Sequence, residues 1–198
     1  MEMVHRRTAA IVETAMLSAA ATVLMFIEFP LPVFPAFLQL DLSEVPALLG
    51  SFALGPMAGV LIELIKNVLH LVVKGTTTAG VGELANFLVG CALVAPAGIM
   101  YKRHKTKHTA IVSMIVGTLL MTVVGCVFDY YVLFPLYQTL MGIPMSAIVK
   151  MGSEINHMVV NLKSLIVLSV APFNLLKGAI VSLITLLLYK KLSPILHG

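Results

Sequence analysis

Apolar runs long enough to cross a lipid bilayer make up about half of this 198-residue chain. Hydrophobic residues are 59% of the sequence and charged residues only 11%, whereas about 25% of a soluble domain is charged. Backbone groups in lipid must hydrogen-bond within their own segment or a closed barrel, and runs of this length suit helices. The sequence therefore predicts an all-α integral membrane protein, with one membrane domain over residues 1–198.

Charged residues and proline or glycine clusters divide the chain into six candidate spans. They cover residues 8–27, 45–54, 57–73, 84–101, 109–128 and 172–189. The second span is short, and the Gly55-Pro56 pair predicts a tight turn that makes a helical hairpin with the third. Proline suits the first turn of a helix, so we expect the last helix to begin at Pro172, with Lys177 about 8 Å below its end.

Lysine and arginine in the short connections predict the orientation of the chain. With both termini cytosolic, eight of the thirteen basic residues lie on the cytosolic side and three lie outside. The eight are Arg6, Arg7, Lys102, Arg103, Lys105, Lys107, Lys190 and Lys191. This asymmetry explains most of the net charge of +4 without a nucleic-acid partner. The opposite side carries the long loops, which we expect to be ordered and to face the ligand.

Lys177 is a lone amine in the last apolar run, with Asn174 one turn away. A charge inside hydrocarbon usually faces a protein-lined cavity and a partner. Asp129 ends the fifth span at a comparable depth, so the two charges could pair in a way that a ligand uses or displaces. The alternative is that the Lys177 side chain snorkels to the membrane surface.

The third span carries a polar stripe at offsets 0, 3, 4 and 7. Its members are Glu63, Lys66, Asn67 and His70. This spacing places all four on one helix face, and we interpret it as an internal pair of Glu63 with Lys66 or Asn67 that holds helices together. Glu83, near the start of the fourth span, suits the positive end of a helix dipole and is also interpreted as structural.

No sequence motif of an enzyme or an ATPase occurs in the chain. HExxH, GxSxG and GxxxxGK[ST] are all absent, and the six histidines are scattered. We therefore predict a receptor or translocating subunit that has no catalytic residues, no cofactor and no metal site.

Four segments in order resemble the riboflavin-binding S components of energy-coupling factor (ECF) vitamin transporters. They are FLQLDLSEVPALLG at 37–50, GPMAGVLIELIKN at 55–67, GVGELANFLVG at 80–90 and PFNLLKG at 172–178. The resemblance implies a six-helix subunit of a prokaryotic plasma membrane that captures riboflavin from outside. It also implies a transmembrane T component and two cytosolic ATPases as partners.

The resemblance also implies a set of ligand-binding positions. They are Leu40, Asp41, Ala79, Gly80, Asp129, Asn174 and Lys177. The family pattern has asparagine where this chain has Asp129, and an ionised aspartate accepts hydrogen bonds but does not donate them. The resemblance further implies that Ala15 and Ala19 dock the T component, although small residues four apart also serve ordinary helix packing.

Other interpretations remain open at this level. Phe34, Phe37, Tyr130 and Tyr131 are either ring contacts for a flavin or an aromatic belt at the membrane interface. The chain could be an S component for a different vitamin or small molecule. It could also be a membrane-embedded enzyme that uses Asp129, Glu63 or His70, or a stand-alone channel.

Overall fold

Helices form nearly all of the regular structure in the computed structural model, which describes residues 2–76 and 78–196 and the side chains of 7–76 and 78–189. The α-helices are α1 Glu2–Phe26, α2 Glu44–Leu54, α3 Pro56–Lys74, α4 Val81–Arg103, α5 Lys107–Phe128, α6 Phe134–Met141, α7 Met145–Ile155, α8 Leu162–Leu165 and α9 Ala171–Leu196. Two π-helical turns, Asp129–Leu133 and Ile166–Val170, join α5 to α6 and α8 to α9 without a break.

Five helical segments are long and apolar enough to cross a membrane. Within the described part of the chain they are 7–26, Pro56–Lys74, Val81–Arg103, Lys107–Met141 and Leu162–Tyr189. The apolar helix α2 has only 11 residues and is shorter than these five. The prediction of an all-α membrane protein is therefore confirmed in its broad form.

The last transmembrane helix does not begin at Pro172, so that prediction is wrong. It begins at Leu162, where the Asn161 side chain accepts from Ser164 N at 2.9 Å and Ser164 Oγ accepts from Asn161 N at 3.0 Å. This reciprocal pair is a capping box. Lys177 lies 15 residues after Leu162, about 22 Å along the helix at 1.5 Å per residue, and not near its start.

Each π-helical turn ends two residues before a proline, Pro135 or Pro172. Proline lacks an N–H donor, and its ring conflicts with the carbonyl group four residues earlier in a regular α-helix. A locally widened turn relieves both problems, so each helix continues through its proline. For the same reason α5 continues as α6 to Met141, beyond the predicted end at residue 128.

The long connections gather at one end of the bundle, which we call the loop end. They cover 27–43, 75–80 and 142–161. The first contains a hairpin in which Phe29–Pro30 pairs antiparallel with Gln39–Leu40. The third contains α7, so the segment that the sequence left between the last two spans is largely helical.

The opposite end has short connections and an aromatic cluster. Phe52, Tyr101 and Tyr189 pack together, and the two tyrosine hydroxyls are 2.5 Å apart. Of the predicted cytosolic basic residues, Arg7, Lys102, Arg103, Lys105 and Lys107 are exposed near this end. The predictions for Arg6, Lys190 and Lys191 fall outside the residues whose side chains are described.

Candidate ligand site at the loop end

Lys177 is buried in an ion pair with two carboxylates. Its Nζ lies 2.8 Å from Asp41 Oδ2 and 3.0 Å from Glu44 Oε1, and only 6% of the residue is exposed. The side chain therefore does not snorkel. The suggested pair with Asp129 is wrong, because the partners of the lysine are Asp41 in the first connection and Glu44 at the start of α2.

A second buried lysine, Lys66, joins the same group of charges. Its Nζ lies 2.7 Å from Ser43 Oγ, 3.3 Å from Glu44 Oε1 and 2.9 Å from Glu63 Oε2. We define the buried ion network as Asp41, Glu44, Glu63, Lys66 and Lys177, none of them more than 6% exposed. The network connects the end of the first connection and the start of α2 to both α3 and α9.

The predicted internal ion pair on α3 is confirmed between Glu63 and Lys66. Asn67 does not take the place of the lysine, because its Nδ2 donates to the Glu63 backbone carbonyl at 2.8 Å. Its Oδ1 accepts from Asn86 Nδ2 at 3.2 Å, which ties α3 to α4. His70 packs on Phe26 with ring centroids 5.4 Å apart, and neither ring nitrogen has a hydrogen-bond partner among the described residues.

Asp41 is held in place by the turn that begins α2. Its Oδ1 accepts from Ser43 N at 2.8 Å, a local side-chain-to-backbone bond typical of aspartate before a helix. Burial alone would raise the pKa of Asp41, but the ammonium groups of Lys177 and Lys66 attract its negative charge. Together they hold the pKa of Asp41 well below its ordinary value, so the carboxylate is ionised at neutral pH.

Asn174 lies one turn before Lys177 and faces α5. Its Nδ2 donates to Val170 O at 3.1 Å, and its Oδ1 accepts no hydrogen bond from any described residue. A Cβ at Gly125 would lie 2.8 Å from Asn174 Nδ2, so the glycine leaves room for this amide. Asn174 thus retains an acceptor and one donor for another group.

Asp129 begins the first π-helical turn and is buried, one turn beyond Gly125. Its carboxylate has no hydrogen-bond or ion-pair partner within the described ranges. Burying a polar group without a partner is costly, and an ionised carboxylate more so. Asp129 is therefore an open acceptor on the helix that Asn174 faces.

A loop-end hydrophobic cluster surrounds these polar groups. Its buried members are Leu38, Leu40, Val81, Ala85, Leu133, Phe134, Ile148, Val159, Leu165, Ile166, Val170 and Phe173. Phe34 contacts Phe173 edge to face, with ring centroids 5.4 Å apart. Phe37 contacts Phe134 in the same way at 5.6 Å. Tyr130 packs against the cluster, whereas Tyr131 is 71% exposed, so of the four candidate aromatics only Tyr131 points away.

Ala79 and Gly80 form the turn that leads into α4. Both have left-handed backbone angles, with φ of 53° and 82°. Thr76 and Thr78 donate to Glu83 Oε2 at 3.1 and 3.2 Å, which confirms the structural interpretation of this glutamate. Neither Ala79 nor Gly80 touches the buried ion network in any described contact, but Val81 beside them belongs to the loop-end hydrophobic cluster.

Sequence reasoning missed Ser43, Glu44 and Gly90. Glu44 is the first residue of α2, and an acidic residue directly before a largely apolar run was the available signal. Gly90 on α4 covers the Glu63 carboxylate, since a Cβ there would lie 2.3 Å from Glu63 Oε2. No sequence pattern pointed to this contact.

The predicted docking residues lie away from the ion network. Ala15 and Ala19 are exposed on α1, beside the exposed apolar side chains of Val12, Met16 and Val23. This α1 face is therefore available to lipid or to another protein.

Comparison with known proteins gives consistent matches over almost the whole chain. A family model described as the substrate-specific component of ECF transporters matches residues 9–189. Riboflavin transporter RibU of Staphylococcus aureus (strain TCH60) is 37% identical, with 94% of this chain and 91% of that protein covered. Riboflavin transporter FmnP of Bacillus subtilis (strain 168) is 32% identical, with 93% and 92% covered.

The fold is similar to that of a solved structure. That structure is described as the S component of a bacterial ECF transporter, and it matches with a TM-score of 0.75 and 34% sequence identity. The match covers 97% of this chain and 99% of that one. Sequence and fold are thus similar along the same length.

Proposed function

Because the chain belongs to the family of substrate-specific components of ECF transporters, we propose that it is the riboflavin-binding S component of such a transporter. The observation that carries this proposal is the similarity to riboflavin transporters over more than nine tenths of the chain. The protein captures riboflavin and passes it inward without catalysing a reaction. A transmembrane T component and two cytosolic ATPases supply the energy, since the chain has no GxxxxGK[ST] sequence of its own.

Riboflavin binds at the loop end, where polar groups with unused hydrogen-bonding capacity adjoin the aromatic cluster. The proposed contacts are Leu40, Asp41, Ala79, Gly80, Asp129, Asn174 and Lys177. Lys177 donates to a flavin carbonyl, and Asn174 pairs with the imide or with a ribityl hydroxyl. The Asp129 carboxylate accepts from the imide N–H or from a hydroxyl, which gives this buried acid the partner it otherwise lacks.

The apolar part of the ligand matches the loop-end hydrophobic cluster. An isoalloxazine ring needs a flat apolar slot with a few well-placed polar groups. Phe34 and Phe37 come from the first connection, while Phe134 and Phe173 come from the helices. The first connection therefore acts as a gate over the ring. The ion pair of Glu28 with Lys74 fastens the connection to the end of α3.

The chain forms a single six-helix membrane domain with both termini in the cytosol. The spans are α1, α2, α3, α4, α5 with α6, and α8 with α9. At 11 residues α2 rises only about 16 Å, roughly half of a hydrocarbon core, so its start lies within the membrane. The exposed basic residues at the end opposite the loops support this orientation.

The T component docks on the exposed face of α1, through Ala15 and Ala19. Small side chains let two helix backbones approach closely in a membrane. Both alanines are exposed, so this face is open to another helix.

Co-purification of flavin tests the proposed function. Protein extracted in detergent from cells grown with riboflavin is expected to be yellow, with flavin absorbance, and stripped protein is expected to quench the fluorescence of added riboflavin. Absence of both signals at micromolar riboflavin would refute the proposal. If riboflavin causes no quenching but another vitamin binds, the chain is an S component for that other molecule.

A further inference from the structure

Glu44 bridges the two lysines of the buried ion network. A single oxygen, Oε1, lies 3.0 Å from Lys177 Nζ and 3.3 Å from Lys66 Nζ. Only 1% of Glu44 is exposed, so water does not compete for these contacts. Its other oxygen, Oε2, is buried and has no hydrogen-bond partner among the described residues.

The two lysines differ in the number of donors that remain unused. An ammonium group has three N–H donors. Lys66 Nζ contacts three oxygens, from Ser43, Glu44 and Glu63. Lys177 Nζ contacts two within the described part of the chain, from Asp41 and Glu44. One N–H of Lys177 is therefore left for a ligand.

The direction of that remaining N–H depends on where the two carboxylates sit. A lysine side chain is flexible, and its ammonium is a compact charge with no fixed plane, so its partners set its orientation. The turn at Ser43 fixes Asp41, and Lys66 fixes Glu44. Lys66 therefore acts on Lys177 through Glu44, from a helix with which Lys177 has no described hydrogen bond or ion pair.

We propose that Glu44 is a positioning residue for substrate binding, which aims the free N–H of Lys177 at a carbonyl oxygen of the ligand. This inference rests on the proposed function, because it assigns a role within the riboflavin site. It does not require Glu44 to touch riboflavin. Glu63 does not share this role, because it contacts Lys66 but not Lys177 in the described structure.

The charge balance of the network provides a matched pair of variants. Its three carboxylates outnumber its two ammonium groups, so Glu44→Gln and Glu63→Gln each leave two of either sign. Both substitutions keep the side-chain volume and remove one fully buried negative charge. The general effects of a lost charge are therefore the same in both variants. Only Glu44→Gln removes a charge that touches Lys177.

Riboflavin titration by fluorescence quenching, with thermal unfolding of the ligand-free proteins, tests the inference. We expect Glu44→Gln to raise the Kd about tenfold or more, and Glu63→Gln to change it by less than about twofold. The two variants are expected to unfold at temperatures similar to each other. Equal Kd values for the two variants, whether normal or weakened, would overturn the inference. Failure of the wild type to bind riboflavin would instead overturn the proposed function.

A second variant keeps the test decisive if Glu44→Gln does not fold. Glu44→Asp retains the charge but withdraws the carboxylate by one methylene from Lys177. Its Kd is expected to lie between those of the wild type and a variant without the charge. Wild-type affinity in Glu44→Asp would show that the position of the carboxylate does not matter.

Discussion

Lys66 on α3 and Lys177 on α9 are both buried, and their surroundings give them different roles. Lys66 Nζ donates to Ser43 and Glu44 and forms an ion pair with Glu63, which suits a residue that holds α3 against the start of α2. Lys177 retains a donor and lies one turn from Asn174, which also has unused capacity. In the sequence the two lysines differ only in the residues next to them. The difference in their contacts is therefore seen only in the folded structure.

Removing Lys66 is expected to destabilise the protein. Lys66→Met leaves Glu63 without an ion-pair partner, and breaking a buried pair by removing one member costs about 3–5 kcal/mol. Adding Glu63→Gln removes the orphaned charge, so the double variant should unfold at a higher temperature than Lys66→Met alone. Thermal unfolding in detergent of the wild type, both single variants and the double variant measures this coupling. A double variant whose loss equals the sum of the single losses would contradict the ion pair.

The pH dependence of stability should reveal the lowered pKa of Asp41. A depressed folded-state pKa means that ionised Asp41 stabilises the protein fully above its ordinary pKa of 3.8. That contribution is lost as the pH falls from there towards the lowered folded-state value. The gap in unfolding temperature between wild type and Asp41→Asn should therefore be constant from about pH 8 to about pH 5 and narrow only below about pH 4. Narrowing between pH 8 and pH 5 would argue against the Lys177 ion pair.

At the residue scale, local spacing predicted part of the network. Glu63 and Lys66 are three residues apart on one helix, so their ion pair follows from helix geometry. The contacts of Glu44 join it to Lys66, 22 positions away along the chain, and to Lys177 on the last helix. Such contacts depend on how the helices pack, and a single sequence carries no direct signal for that.

At the scale of helices, two glycines on α5 have different roles, one in helix packing and one at the proposed ligand site. A Cβ at Gly117 would lie 2.5 Å from the backbone oxygen of Leu93 on α4. A Cβ at Gly125 would instead meet the end of the Asn174 side chain at 2.8 Å. A backbone atom cannot move aside without shifting a helix, whereas a side-chain amide can rotate.

Alanine at the two α5 glycines should therefore have separate effects. Gly117→Ala is expected to lower the unfolding temperature, because α4 and α5 must separate. Gly125→Ala is expected to leave stability unchanged or slightly higher, since alanine favours a helix over glycine by about 1 kcal/mol. It should weaken riboflavin binding several-fold by turning Asn174 away. Riboflavin titration and thermal unfolding of both variants measure this, and normal binding by Gly125→Ala would contradict the role of Asn174.

The boundaries of the helices were predictable only in part. Apolar length located five spanning segments and the short α2. Proline led to the wrong start for the last helix, because the π-helical turn before Pro172 lets the helix continue. The correct start carried its own signal, the Asn161 and Ser164 pair of a capping box. A proline that follows a π-helical turn is thus a poor marker of a helix end.

At the scale of the whole molecule, the two ends of the helical bundle carry different groups. The loop-end hydrophobic cluster lies towards the loop end and the buried ion network lies deeper in the bundle, while the opposite end carries the aromatic cluster of Phe52, Tyr101 and Tyr189. Exposed basic residues lie at this opposite end. This arrangement suits a subunit that receives its ligand on one side and meets cytosolic partners on the other.

Labelling of single cysteines in intact cells tests the orientation. In a background where Cys91 and Cys126 are replaced by alanine, His157→Cys at the loop end should react with a membrane-impermeant maleimide. Lys105→Cys, in the connection between α4 and α5, should react only after the membrane is permeabilised. The reverse pattern would place the termini outside and contradict the proposed topology.

Riboflavin titration of the wild type beside Asn174→Ala and Lys177→Met tests the central claim most directly. Leu175→Ala is the matched control, because Leu175 lies between the two site residues on α9 and is 41% exposed. We predict saturable quenching by the wild type and Leu175→Ala, and a Kd raised at least about tenfold, or roughly 1.4 kcal/mol, in each site variant that remains monodisperse. Wild-type affinity in both Asn174→Ala and Lys177→Met would contradict the assignment of the site.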